Sequence, residues 1–200
     1  MTLGLAPGLS REDFDDLHEF IRTHVDAGYA SDDEIVADAV ELFAENGANP
    51  TAVQAAARAI ADQAAAAHRD EQTRWEPTTD CDRLDAAFAS LETAGIMARQ
   101  HFSCCGTCGN SEIALEVKSA ADAGEAVRGF TFFHVQDTEH AVAGESMYLS
   151  YGAASREQAD AVVIGHEVVA ALRQQGLEPA WNGKFAHRIA LPLTWRRRRP

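Results

Sequence analysis

Five helix starts can be read directly from this chain. A Ser or Thr followed three residues later by Asp, Glu or Gln satisfies two orphan amides at a helix N-terminus reciprocally. Ser10 with Asp13, Ser31 with Glu34, Thr79 with Asp82 and Ser155 with Gln158 carry that signature, and Asn49-Pro50 adds a start with proline at the first helical position. The spacing predicts helices near 10–27, 31–45, 50–73, 80–93 and 156–175. In the first, Phe14, Leu17, Ile21 and Val25 form one apolar stripe. Ile35, Val36, Ala39, Val40 and Phe43 do the same in the second, and Val53, Ala57, Ile60 and Ala64 in the third. Turns at Gly28 and Asn46-Gly47 join them into a three-helix region over residues 1–76, whose alanine-rich third helix buries little area per residue.

Pro77 stops one helix just before the capped start of the next, and beyond it the apolar period changes. Ile96 to Phe102 reads as a strand that runs into a cysteine loop, and Asn110 to Ala121 as a helix. Further strands are expected at Phe130–Val135 and Ser146–Tyr151, with Asp137 capping a short helix between them. The helix over 156–175 is apolar almost all round, so it belongs on a sheet face. Asn182-Gly183 suits a two-residue turn, which predicts a C-terminal hairpin between Pro179-Ala180-Trp181 and the alternating run Ile189, Leu191, Leu193, Trp195. The fold class that follows is α+β. An N-terminal three-helix region precedes a mixed α/β domain over 77–200 with a largely antiparallel sheet of about four or five strands.

Charge narrows the partners. The chain carries a formal charge of −14, and residues 1–78 hold 16 acidic against 5 basic side chains. Nucleic acid needs a basic stripe to displace counterions, and the only basic block is Arg196-Arg197-Arg198-Arg199, read as a solvated terminus. No apolar run is long enough to span a membrane, and Met1 to Gly8 lacks the features of a secretory signal. A cytoplasmic protein is therefore expected, with an acidic surface that suits another protein, a basic one, as partner.

Three of the four cysteines fall in Phe102-Ser103-Cys104-Cys105-Gly106-Thr107-Cys108-Gly109. In a reducing compartment such thiols pack, bind a soft metal or cycle between thiol and disulfide. Cys105 and Cys108 have the spacing of half a zinc knuckle, with Cys104 and His134 as further candidate ligands, but a second chelating pair at the required spacing is missing. As a redox pair, Cys105 and Cys108 at a strand-to-helix turn resemble the active-site placement of thioredoxin-like proteins, though no β-α-β unit precedes them. Small thiols that let a loop pack tightly are the third reading, and Cys81 lies far off in sequence. His134, beside aromatics at a strand end, reads as packed, with a base or ligand role as the alternative and a small-molecule pocket near His134, Gln136 and Tyr148 as a further option. His166 reads as a core or interface histidine. Phosphate loops, a nucleophile elbow, a zincin helix and a dinucleotide fingerprint are absent from the sequence.

The cysteine run, followed by Phe133-His134-Val135-Gln136-Asp137-Thr138-Glu139 and Tyr148-Leu149-Ser150-Tyr151-Gly152, resembles an uncharacterised actinobacterial family known only as a domain of unknown function, over about 80–195. The resemblance implies a bacterial cytoplasmic protein and brings no activity, cofactor or functional residue with it. The residues themselves suggest a non-enzymatic binding or regulatory protein with a structural cysteine loop, and alternatively a thiol redox protein or sensor using Cys105 and Cys108.

Overall fold

The computed structural model describes residues 8–199; Met1–Pro7, where the absence of a secretory signal is read, and Pro200 lie outside the described residues. The chain forms two compact units, one of residues up to Pro77 together with Arg196 onward, the other of Thr78–Trp195.

The first unit is built from α1 (Arg11–Ala27), α2 (Asp32–Glu45) and α3 (Pro50–Gln72). Their starts form as the capping pattern dictates. The Ser10 hydroxyl accepts the Asp13 amide, Ser31 and Glu34 make a reciprocal box, and the Asn49 side chain accepts the amides of Thr51 and Ala52. Leu17, Ile21, Val25, Ile35, Ala39, Val53 and Ala57 are completely buried in one shared core. The arginine tail departs from its sequence reading as a solvated terminus. His68, 5% exposed, places Nδ1 3.2 Å from Asp26 Oδ1 and Nε2 3.0 Å from the Arg197 carbonyl. Arg199 pairs with Asp32 at 2.9 Å, and the Arg197 guanidinium lies 4.3 Å from the centre of the Tyr29 ring. An aromatic partner in the turn between α1 and α2 and carboxylate partners thus outweigh the mutual repulsion that argued for a mobile tail.

The second unit runs α4 (Asp80–Thr93), β1 (Ile96–Arg99), α5 (Gly106–Asp122), β2 (Gly129–Phe132), α6 (Val135–Val142), β3 (Met147–Ala153), α7 (Gln158–Gln174) and β4 (Ile189–Leu191). The sheet order is β1-β2-β3-β4, with β1 parallel to β2 and the other two pairs antiparallel. The parallel pair makes α5 a crossover helix, so the cysteine turn lies inside a β1-α5-β2 unit, and among the described residues no β-α-β unit precedes it. Alternation along the strands divides the core. Met97 and Phe132 pack with Ile113 of α5 on one face. On the other, Gly129 abuts Ile164 of α7, and Phe133, just past β2, meets Phe88 of α4 with ring centres 5.7 Å apart.

Several boundaries differ from expectation. β1 stops at Arg99, and α5 begins at Gly106, so Cys108 lies in its first turn and Cys105 at its N-cap, with Cys104 just ahead. α7 begins at Gln158 because the Ser155 hydroxyl engages Asp160 and the Glu157 amide instead of boxing with Gln158. The predicted hairpin reduces to a single bridge between Ala180 and Ala190. Residues 181–188 form a wider loop in which the Trp181 indole N–H and the Tyr151 hydroxyl both donate to the His187 carbonyl. No helix among the described residues is long and apolar enough to cross a membrane.

Candidate functional site

Two segments meet beyond the carboxyl ends of β1 and β2. After Arg99 the chain stays tied to its neighbour by backbone hydrogen bonds, from Phe133 N–H to the Arg99 carbonyl (3.2 Å), Phe102 N–H to the Phe133 carbonyl (2.8 Å) and Val135 N–H to the Ser103 carbonyl (3.1 Å). His101 and Ser103 adopt left-handed backbone angles, with φ of 50° and 64°, which are strained for residues with a side chain. Each is held in place by a side-chain partner. His101 Nδ1 lies 2.9 Å from the Thr138 hydroxyl, and Ser103 donates to Glu112 at 3.0 Å.

This kinked approach delivers Cys105 to the N-cap of α5 and Cys108 to its first turn. The sulfurs of Cys104, Cys105 and Cys108 all lie within 4.8 Å of one another. Cys104 is exposed, and Cys105 and Cys108 are half-buried. The helix N-terminus orders their acidity. The amide and thiol of Cys108, then the Thr107 amide and the Cys104 thiol, pull the Cys105 pKa below that of an ordinary thiol. Cys108, whose thiol is hydrogen-bonded to Cys104 and Cys105, is pushed up to about 11. Of the pair, Cys105 is thus the more acidic thiol and Cys108 the less acidic.

The trailing glycine has a reason unrelated to backbone freedom. A Cβ on Gly109 would stand 2.5 Å from the Phe132 ring, so glycine lets α5 pack tightly onto β2. At Gly106 the neighbour is His134 Nε2, 3.5 Å from where a Cβ would be.

His134 caps α6. Its backbone N–H donates to Asp137 Oδ2 at 3.1 Å and its Nδ1 accepts the Asp137 amide at 3.2 Å. A ring nitrogen that accepts an N–H carries no proton, so in the neutral ring the proton sits on Nε2, which lies 3.1 Å from Asp137 Oδ2. Burial pushes the His134 pKa below the usual value; the Asp137 charge opposes this, and the nearby Arg188 cation adds to it. Asp137, only 2% exposed, receives both ends of the Arg188 guanidinium, at 3.1 and 2.5 Å, and Arg188 also donates to the Tyr148 carbonyl.

The structure therefore gathers Cys104, Cys105 and Cys108 and sets the His134 imidazole against Gly106 of the same turn. His134 is not among the donors that converge within 4.8 Å, and Cys81 is buried in α4. A soft metal would find three thiol ligands at this turn and no fourth side chain in the cluster. Gln136 and Tyr148 are exposed. His166 is also exposed and stacks edge-on against Trp181 at 5.0 Å, so it is not a core residue. Arg188 escapes sequence reading because its partner stands 51 positions away with no motif to link the two.

A family described as a domain of unknown function, DUF6891, matches residues 10–199. The chain belongs to that family. The match includes the N-terminal helices as well as the cysteine turn, a wider span than the 80–195 on which the resemblance rests. No curated protein and no solved structure matches the chain.

Proposed function

We propose that this chain is a dithiol redox protein of the reducing cytoplasm, with Cys105 as the attacking thiolate and Cys108 as the resolving thiol. The observation that carries this reading is the convergence of three sulfurs within 4.8 Å at the first turn of a crossover helix. Cys105 Sγ attacks a disulfide in the substrate, forming a mixed disulfide and releasing one substrate thiolate. Cys108 Sγ then attacks Cys105 Sγ, and its proton passes to the second departing thiolate. The substrate disulfide is reduced and a Cys105–Cys108 disulfide remains. Cys105 and Cys108 are the favoured pair because a bond between the adjacent Cys104 and Cys105 would strain the geometry a disulfide requires.

Oxidised glutathione followed by mass analysis tests this. The parent protein should lose two hydrogens with a disulfide mapped to Cys105 and Cys108, and the Cys108→Ser variant should retain one glutathione on Cys105. One equivalent of zinc in the native protein with no alkylatable cluster thiol would replace this reading with a metal site, and four thiols unchanged by the oxidant would end it.

A second reading is that the helical unit engages a basic protein. It is favoured by the exposed carboxylates Glu12, Asp15, Asp16 and Glu19 of α1 and Asp33, Asp38 and Glu41 of α2, set in a chain of net charge −14. Such a complex should weaken as salt rises, and salt-indifferent capture would count against it.

A further inference from the structure

A cavity of about 490 Å³ lined by α5, β3 and the start of α7 includes none of the cluster thiols. Its existence follows from side-chain size. On α5, Ala114, Val117 and Ala121 repeat at helical spacing along one face, and β3 contributes Gly152 and Ala153. The Phe130 ring fills the place a Gly152 side chain would take, since a Cβ there would stand 2.5 Å from its Cζ. Small residues on both walls leave the gap between helix and strand unfilled. Phe130 and the exposed Phe185 supply aromatic surface. The sequence suggests a pocket near His134, Gln136 and Tyr148, and none of these lines this cavity.

The charges lining the cavity run against the rest of the molecule. In a chain of net charge −14, its charged residues are two cations, Lys118 and Arg156, with no carboxylate among them. Lys118 is paired with Asp122, one turn further along α5. Arg156 has no ion-pair partner among the described residues, and it sits at a left-handed backbone angle, φ 64°, between β3 and α7. A strained residue that presents an uncompensated guanidinium at the mouth of an apolar cavity suits an anion with an apolar body. Arginine's fork matches a carboxylate on two parallel hydrogen bonds, and the aromatic surface suits a flat ring system.

We propose that this cavity binds a small aromatic carboxylate, with the ring system between Phe130 and the alanine face of α5 and the carboxylate on Arg156. The proposal is independent of the thiol chemistry, and its test leaves the cysteines untouched. Calorimetric titration of the full chain with 2-naphthoate and, separately, with the neutral 2-naphthamide separates the charge from the ring. The carboxylate should bind about tenfold more tightly than the amide, the scale of one charge-assisted hydrogen-bonded contact. Arg156→Asn, which keeps a residue tolerant of the left-handed angle, should erase that difference and leave amide binding as it was. Ala114→Phe should abolish binding of both compounds with an unchanged circular dichroism spectrum. Equal affinities, no binding at millimolar concentration, or a carboxylate preference that survives Arg156→Asn would each overturn the proposal.

Discussion

The two units place their polar groups differently. In the helical unit one polar side chain is buried among the described residues, His68, and it serves to hold the returning tail. In the sheet unit Thr79, Thr131, His134, Asp137, Thr138 and Ser150 are all buried, and three of these, His134, Asp137 and Thr138, lie at the N-cap and in the first turn of α6. Burying polar groups is costly unless every one is hydrogen-bonded, so a fold dense in them has less freedom to substitute. The helical unit is held by apolar stripes that many sequences could supply. The sheet unit is held around one arrangement of charges, and that arrangement adjoins the thiols.

Removal of one carboxylate from each unit sharpens the contrast most. Asp137→Ala leaves the His134 amide without its acceptor and the Arg188 guanidinium with the Tyr148 carbonyl alone, at a site that is 2% exposed. Urea denaturation should show a loss of about 3 kcal/mol, at the lower end for a broken buried pair because the Arg188 side chain is 35% exposed. Asp32→Ala removes the partner of Arg199 from a more accessible site and should cost about 1 kcal/mol. Equal losses would remove the distinction between the units.

Glycines at the cysteine turn come next in size. Gly109→Ala forces a Cβ to within 2.5 Å of Phe132 at the contact between α5 and β2, and should destabilise the chain by about 2 kcal/mol. Gly106→Ala meets only ordinary contact at 3.5 Å and gains helix propensity, so it should be neutral or stabilising by up to about 1 kcal/mol. Thermal denaturation of the two variants side by side separates a packing glycine from a tolerant one. A chain that ends at Trp195 should lose about 1 kcal/mol, read as faster hydrogen exchange in α1 and α3, because it forfeits the Arg199–Asp32 pair and the Arg197 contacts with His68 and Tyr29. Unchanged exchange there would return the tail to a solvated terminus.

Legibility followed the same division. Caps and stripes are local, and the first four helices were readable almost to the residue from Ser10, Ser31, Asn49 and Thr79. The cysteine turn was found by composition, yet its place in the helix was not. Gly106 and Gly109 read as loop residues, and only the closeness of Phe132 explains a glycine inside the first turn. The parallel pairing of β1 with β2 is likewise set by contacts across 33 positions, which no local pattern encodes. Arg188 and Arg156 were missed for a related reason. What gives an arginine meaning here is the partner it finds or lacks in space, and sequence shows neither.

The smallest effect concerns pH and the buried His134. At His134 the folded state disfavours the proton, through burial and the Arg188 cation, more than the Asp137 carboxylate on the same turn favours it. Glu139 favours the proton as well, and His140 disfavours it. The unfolded chain then binds the proton more readily than the native one. The stability linked to His134 is therefore fully present above the ordinary histidine value of about 6.5 and declines as pH falls toward the lowered native value. The slope is no steeper than one proton, about 1.4 kcal/mol per pH unit. His134→Asn keeps a side chain able to cap α6 and removes the titration, so its stability between pH 7 and pH 5 should fall less than that of the parent. If the two chains lose stability in parallel over that range, the acid sensitivity lies elsewhere and His134 acts only as a cap.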